Sequence, residues 1–340
     1  AVVLENVKID AAEAALLNSN YGSKTITIKN SELSILGTWT RNSTTKTTYV
    51  FEGANTVGQF KTDETIDTFK LADVNSTLTA PNEIDMITDV EGHVVTYVNG
   101  VYKVVEPFVK NETTGVIYGS LADAIAAAKA GDTITFLADI TEDVTVNKSV
   151  TINGAGKTFT GKMNVTASVT IKNVNFDGKG FNGYAVETRG AAKVVIEDCT
   201  AKNYGYGFLQ VVSSNDTVTV KNVTVSDVNY GVKIDRSNAV VLENVDITAA
   251  VAAVYNSNYG KKTITIKNSS LNILKTWKRN DTTKTTYVFE GANSIDEFVI
   301  NETVDTFKLA DVNSTLTAPE GYNVTTDVEG RVVTYVNGVY

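Results

Sequence analysis

Several residue types are scarce in this 340-residue chain, and each scarcity excludes a class of explanation. A single cysteine, Cys199, cannot form a disulfide within the chain, so packing has to hold the fold together. The only histidine, His93, has Arg331 as its equivalent in a second copy of the repeat, so a histidine-based metal site or catalytic triad required in every repeat is excluded. No apolar run is long enough to cross a bilayer. The formal net charge of -9 argues against binding to nucleic acid or to an anionic membrane surface.

The abundant residues, mainly Thr, Val, Asn and Ile, favour strands and turns, and they form a long internal repeat. Residues 1–102 align without a gap with residues 239–340, and about three positions in four are identical. We therefore predict two domains: 1–102 is the C-terminal part of an upstream repeat, and 103–340 is one complete repeat with a period of 238 residues. Because the chain opens in the middle of a strand pattern, we expect further copies on either side and any targeting segment upstream.

A shorter period of about 20–25 residues runs inside the long repeat. Each step has alternating apolar residues, then one Asn or Asp, then a second apolar run, as in VTVKNVTV at Val218. A solenoid explains this spacing, because each strand can pair in parallel with the strand one coil away and the polar residues can form an Asn ladder along the turns. The ladder is predicted at these positions: Asn6, Asn30, Asn153, Asn173, Asp198, Asn222, Asn244 and Asn268.

The ends of the repeat carry two other patterns. An amphipathic stretch at about 120–130 predicts a capping helix, with Ser120 as its N-cap and Asp123 three residues later. Asn99-Gly100, between two apolar runs, predicts a C-terminal β-hairpin with a type I′ turn, and the same dipeptide returns at Asn337.

The segment YGSLADAIAAAKAGDTITFLADITEDVTVNKSVTINGAGKTFTG at 118–161 resembles the beginning of pectate-lyase-like β-helix units in large prokaryotic surface proteins. In that family a helix carrying A-I-x-x-A-K-x-G-D-T-I-x-L precedes the coils. The resemblance covers about 115–275 well and implies an all-β, right-handed parallel β-helix. It also implies an extracellular or cell-surface location and an adhesin-like or stalk role.

Three functions are compatible with this sequence. We expect foremost a structural or adhesive repeat module of a large secreted cell-surface protein (a stalk, fibre or surface layer) without enzyme activity or cofactors. A carbohydrate-binding or polysaccharide-cleaving β-helix is the second interpretation, and it needs stacked aromatics and paired carboxylates in one groove. The nearest carboxylates for it are Glu197, Asp198, Asp227, Glu243 and Asp246, with Lys233, Asp235 and Arg236 near them. A self-assembling extracellular filament subunit is the third.

Expected partners are adjacent repeats of the same protein, followed by host or cell-wall glycans, or further copies of the chain. Trp39 with Arg41 and Trp277 with Arg279 place an indole near a basic residue in the same predicted loop of each copy. Such a pair can stack on a sugar or contact a neighbouring chain, although a tryptophan packed against the coil wall is the simpler explanation. Cys199 aligns with small apolar residues of other coils and is predicted to lie in the core.

Overall fold

The computed structural model describes residues 1–19, 23–38, 46–62, 67–190, 193–258, 262–277, 285–300 and 305–340. These residues form two compact units, Ala1–Ala127 and Ala128–Tyr340. Strands dominate both units, and the one helix in the described ranges is too short to span a membrane.

The first unit contains short strands followed by that helix. Its elements are β1 (Val2–Glu5), β2 (Lys8–Ile9), β3 (Leu16–Asn18), β4 (Lys24–Lys29), β5 (Glu32–Thr38), β6 (Thr47–Glu52), β7 (Ala54–Lys61), β8 (Thr68–Leu71), β9 (Thr77–Thr79), β10 (Met86–Thr88), β11 (Val94–Val98), β12 (Val101–Val105), β13 (Val109–Asn111), β14 (Ile117–Tyr118) and α1 (Leu121–Ala127).

Two parallel sheets make up most of the first unit. Strands β1, β4, β6, β8 and β10 pair in that order, and β2, β5, β7 and β9 form the second sheet, where β3 also pairs with β5. The predicted hairpin joins the second sheet: β12 lies antiparallel to β9, and β11 lies antiparallel to β12. Asn99 and Gly100 have φ values of 52° and 82°, as a type I′ turn requires.

Helix α1 begins where the sequence predicts and ends earlier. The Ser120 hydroxyl accepts a hydrogen bond from the Asp123 backbone N–H at 3.0 Å, which is the expected N-cap. The prediction extended the helix to about residue 130, but it stops at Ala127. The Lys129 N–H donates to Asp132 Oδ2 at 2.9 Å, so this amide leaves the helical hydrogen-bonding pattern.

Strands are the only regular elements among the described residues of the second unit. They are β15 (Thr133–Phe136), β16 (Ile140–Thr141), β17 (Val144–Val146), β18 (Thr151–Asn153), β19 (Thr158–Thr160), β20 (Met163–Val165), β21 (Val169–Lys172), β22 (Asn175–Asp177), β23 (Tyr184–Thr188), β24 (Lys193–Lys202), β25 (Gly207–Val212), β26 (Thr217–Val225), β27 (Tyr230–Arg236), β28 (Ala239–Ile247), β29 (Ala252–Asn256), β30 (Lys262–Lys267), β31 (Ser270–Thr276), β32 (Thr285–Glu290), β33 (Ala292–Val299), β34 (Asp305–Leu309), β35 (Thr315–Thr317) and β36 (Val324–Thr326).

These strands form three parallel ladders, which we call A, B and C. Ladder A stacks β15, β18, β21, β24, β26, β28, β30, β32, β34 and β36. Ladder B stacks β16, β19, β22, the second halves of β24, β26 and β28, then β31, β33 and β35. Ladder C stacks β17, β20, β23, β25, β27 and β29, followed by the later residues of β31 and β33. The predicted right-handed parallel β-helix is thereby confirmed.

Inward-facing and outward-facing side chains alternate along each strand, and the inward-facing ones form the core. In ladder A the inward residues of successive coils are directly stacked by the register and are almost completely buried: Ile152, Ile171, Ile196, Val220, Leu242 and Ile266. Phe159, Phe176 and Phe208 form a second inward column, with ring centroids 5.9 and 5.8 Å apart. Burying one apolar face per strand is possible only because the neighbouring coils cover it, so the stack is the unit of stability.

Candidate functional site

In the second unit, the residues predicted as an Asn ladder lie at the corner between ladder A and ladder B, and Asn6 and Asn30 lie between the corresponding strands of the first unit. Seven of the eight have φ values between 45° and 56°, whereas Asn153 does not. Asn and Asp tolerate this left-handed conformation better than other non-glycine residues, and it turns the strand sharply between an outward-facing residue and a buried one. These seven side chains point to solvent.

Side chains connect several positions of this corner from coil to coil. Amide Nδ2 atoms donate to the carbonyl or carboxylate one coil earlier: Asn173 to Asn153 at 3.1 Å, Asn222 to Asp198 at 2.8 Å and Asn244 to Asn222 at 3.1 Å. Asn268 Oδ1 accepts instead from the Ala292 backbone N–H at 3.1 Å, and Asn30 does the same with Ala54. The positive φ and these hydrogen bonds together account for Asn and Asp at the corner, without a ligand.

Only one of the four residues of the predicted contact surface lies in the described ranges. Trp277 is 60% exposed, and its backbone N–H donates to the Asn256 carbonyl at 2.9 Å. Trp39, Arg41 and Arg279 lie outside the described residues. The contact surface therefore stays a prediction.

A groove of about 450 Å³ lies on the outside of ladder C. Strands β23, β25 and β27 supply its side chains, because the register aligns Glu187 with Gln210 and Gln210 with Lys233 on successive coils. The turns that precede these strands supply the other wall. The lining residues are Lys162, Phe181, Asn182, Gly183, Tyr184, Glu187, Tyr206, Gln210, Tyr230 and Lys233.

Tyrosines form the apolar part of the groove. Tyr184 and Tyr206 have ring centroids 5.9 Å apart, and Tyr230 has the ring of Tyr255 at 5.3 Å. Tyr206 is 50% exposed, whereas Tyr184 is buried. Gly207 separates Tyr184 from Tyr230 in the register, and a Cβ atom at this position would collide with both residues. The glycine therefore lets the Tyr184 ring and the Tyr230 backbone carbonyl both approach the strand between them.

A buried carboxylate forms the floor of the groove. The Glu187 side chain is only 5% exposed, and Lys162 Nζ lies 2.5 Å from its Oε2 atom. The Arg189 guanidinium contacts the other carboxylate oxygen. Two cations thus neutralise and hold one anion, as a buried charge requires.

A second polar cluster crosses three coils at the edge of the groove. Asp235 accepts hydrogen bonds from Gln210 Nε2 at 2.6 Å and from Ser257 Oγ at 2.7 Å, and Lys233 Nζ lies 3.4 Å away. Partial burial opposes ionisation of Asp235, but these hydrogen bonds and the lysine charge together lower the pKa of the carboxyl below its usual range.

The structure separates the carboxylates that the sequence offered for catalysis. Glu197 and Glu243 lie in an outward row of ladder A, and Asp198 lies at the Asn corner. Asp227 lines a second, more open groove of about 730 Å³, together with Lys179, Asn203 and Asn229. Asp235 alone of that set adjoins the tyrosines. Within the described ranges, no group of three or more His, Cys, Asp and Glu side chains could hold a metal ion.

Cys199 lies in the interior, where its register partner is Val223. Burial raises the pKa of its thiol to about 12. The thiol is therefore protonated at neutral pH and unsuited to nucleophilic chemistry.

Sequence reasoning missed the tyrosine groove, although its signal was present. Tyr184, Tyr206 and Tyr230 recur at steps of 22 and 24 residues, which is the coil period. A residue type that returns with this period lies on one side of the solenoid.

Residues 161–293 match the family described as a right handed beta helix region, and this segment includes the groove. The match and the three ladders are consistent with the pectate-lyase-like parallel β-helix that the sequence resembles. Neither the curated proteins nor the solved structures include a match to the chain. Right-handed β-helices include both enzymes and proteins without enzyme activity, so activity has to be argued from the site.

Proposed function

We propose that this β-helix is a structural and adhesive repeat module of a large secreted cell-surface protein, and that the tyrosine groove binds a glycan. The observation that carries the proposal is the juxtaposition of Tyr184, Tyr206 and Tyr230 with charged and amide side chains along one groove. A rigid stack of coils holds these groups without a loop rearrangement, which keeps the entropic cost of binding low.

The chemistry of the groove suits a sugar. A pyranose ring has an apolar face of C–H groups that can lie on a tyrosine ring, and its rim of hydroxyls needs donors and acceptors. Gln210, which Asp235 holds from the next coil, offers a planar amide, and Lys162 and Lys233 place ammonium groups at the groove. Burial raises the pKa of Tyr184, and the Asp235 charge adds to this effect, so its hydroxyl stays neutral and can both donate and accept.

Binding explains the carboxylates better than cleavage does. Hydrolysis of a glycosidic bond needs a protonated acid with a raised pKa, and the pKa of Asp235 is lowered instead. Glu187 is held by Lys162 and Arg189, so it is not free to serve as a base. We therefore assign both carboxylates to positioning and hydrogen bonding, and we propose that the chain is not an enzyme.

The surface location and the serial arrangement rest on the repeat. Three-quarters identity between residues 1–102 and 239–340 fits a protein that gains length by duplication, as a stalk or fibre does. Adjacent repeats are then the first partners of this segment.

Glycan binding can be tested by isothermal titration calorimetry of the full chain against a panel of neutral and uronate-containing oligosaccharides. We expect at least one ligand to bind, and Tyr206→Ala to weaken its affinity by about tenfold or more, because the exposed ring is the stacking platform. Trp277→Ala is the matched control, since it removes an exposed aromatic ring that does not line the groove.

Retained binding in Tyr206→Ala together with loss in Trp277→Ala would move the site to the predicted loop surface. Absence of binding across the whole panel would contradict the adhesive role. Incubation of the same polysaccharides with the chain, with and without Ca²⁺, should release no unsaturated products, whereas release that stops in Asp235→Asn would establish a lyase.

A further inference from the structure

One outward row of ladder A alternates strictly in charge. Each of six successive coils has one charged residue immediately before the corner between ladders A and B, and the strand register stacks these residues on one another. They are Lys172, Glu197, Lys221, Glu243, Lys267 and Glu290. The Nζ–Oε distances are 3.3 Å for Lys221–Glu243 and 2.8 Å for Lys267–Glu290. We call these six residues the charge column.

The next outward row of the same strands is short and uncharged over these six coils. It contains only threonine and valine, which have nearly the same shape: Thr170, Val195, Thr219, Val241, Thr265 and Val288. All six are half-buried by their neighbours. The outer surface of ladder A is therefore an even sheet face with a charged rim, and we call it the A face.

When the charge column of one copy faces the charge column of a second copy in the reverse direction, every charge lies opposite a charge of the other sign. Reading it backwards places a glutamate opposite every lysine: Lys172 meets Glu290, Glu197 meets Lys267, and Lys221 meets Glu243. A two-fold axis along the strand direction, between the coils of Lys221 and Glu243, produces this pairing for two face-to-face copies. A two-fold axis along the solenoid would instead place like charges opposite each other.

We infer that the A face docks on the A face of a second copy of this chain, with the two solenoids antiparallel. Charge complementarity selects this orientation, and the threonine and valine row fills the centre of the interface. The ten strands of ladder A continue on both sides of the proposed axis, five before it and five after it. Over the six coils of the charge column, at about 4.8 Å per coil and about 3.3 Å per residue, the face offers roughly 500 Å² per partner, which is the size of a weak, concentration-dependent interface.

The internal repeat supports a special role for this face. The strands β1, β4 and β6 have the same residues as their counterparts VVLE, KTITIK and TTYVFE in the second copy. An outward row of ladder C differs at each compared position instead: Tyr255, Lys275 and Val299 replace Leu17, Gly37 and Lys61. A face that pairs with its own kind tolerates less change than a face that meets varied ligands.

Sedimentation velocity of the full chain over a concentration series tests the inference. We expect a dimer that weakens as salt rises, because its orientation depends on charge pairs. Lys221→Glu places like charges opposite each other twice in the dimer and should weaken it at least about tenfold. The swap Lys221→Glu/Glu243→Lys leaves like charges adjacent within each copy but makes every intermolecular pair opposite again, and it should restore dimerisation.

Restoration in the double variant separates docking from a fold defect, since both variants have two pairs of like-charged neighbours within the charge column of one copy and a fold defect would therefore affect both. Circular dichroism should show the same strand content in all three proteins. A wild-type chain that stays monomeric at every concentration, or a dimer that is unchanged in Lys221→Glu, would overturn the inference.

Discussion

At the residue scale, the coil geometry depends on side chains that accept an unusual backbone conformation. Asn173, Asp198, Asn222 and Asn244 each turn a strand at a positive φ. Their amides and carboxylates also connect neighbouring coils. Spacing alone predicts these positions, because the Asn or Asp must return once per coil. The residue types do not reveal by themselves that the backbone has a positive φ here, and therefore do not reveal that these side chains are exposed.

Substitutions of Asn222 should separate its backbone role from its hydrogen bonds. Asn222→Ala forces a Cβ-bearing residue without a polar side chain into φ of 52° and should cost about 1–2 kcal/mol in the free energy of unfolding. Asn222→Gly loses the same hydrogen bonds to Asp198 and from Asn244 but adopts this φ freely. Urea unfolding should show the smaller loss for glycine, and equal losses would refute a backbone role.

At the element scale, the parallel ladders are the predictable part and the groove is not. Alternation in VTVKNVTV and its relatives specifies an inward and an outward face locally, so the ladders follow from the repeat. The groove instead requires knowing that Glu187, Gln210 and Lys233 are register partners on different coils. Turn lengths between coils vary from step to step, so this register emerges only from the folded stack.

Asp235 links three of these coils, which makes the stability of the groove depend on pH. Its folded-state pKa lies below the unfolded value, so the ionised group stabilises the fold above about pH 4 and this contribution is lost as pH falls through the lowered pKa. Asp235→Asn should therefore unfold at a lower temperature than the wild type at pH 7, and the difference should shrink toward pH 2. Thermal unfolding of both proteins over this range measures it, and a difference independent of pH would exclude the ionised carboxylate as the cause.

At the scale of the whole molecule, the two copies show which surfaces the repeat keeps and which it varies. Duplication preserves the ladder A residues of β28, β30 and β32, while an outward row of ladder C changes between copies. The two copies therefore differ in how much change each face of the solenoid shows. The helix cap, the hairpins and the coil period were predictable, whereas a binding surface assembled from several coils required the structure.

The central claim is that a glycan lies on the tyrosines of ladder C while the coils stay as they are. A crystal structure of the full chain with the tightest oligosaccharide from the binding panel tests it most directly. We predict a sugar ring on the Tyr206 ring with its hydroxyls near Gln210 and Asp235, and an unchanged strand register. Sugar density at Trp277 with an empty groove, or coils whose register differs from the one described, would contradict the account.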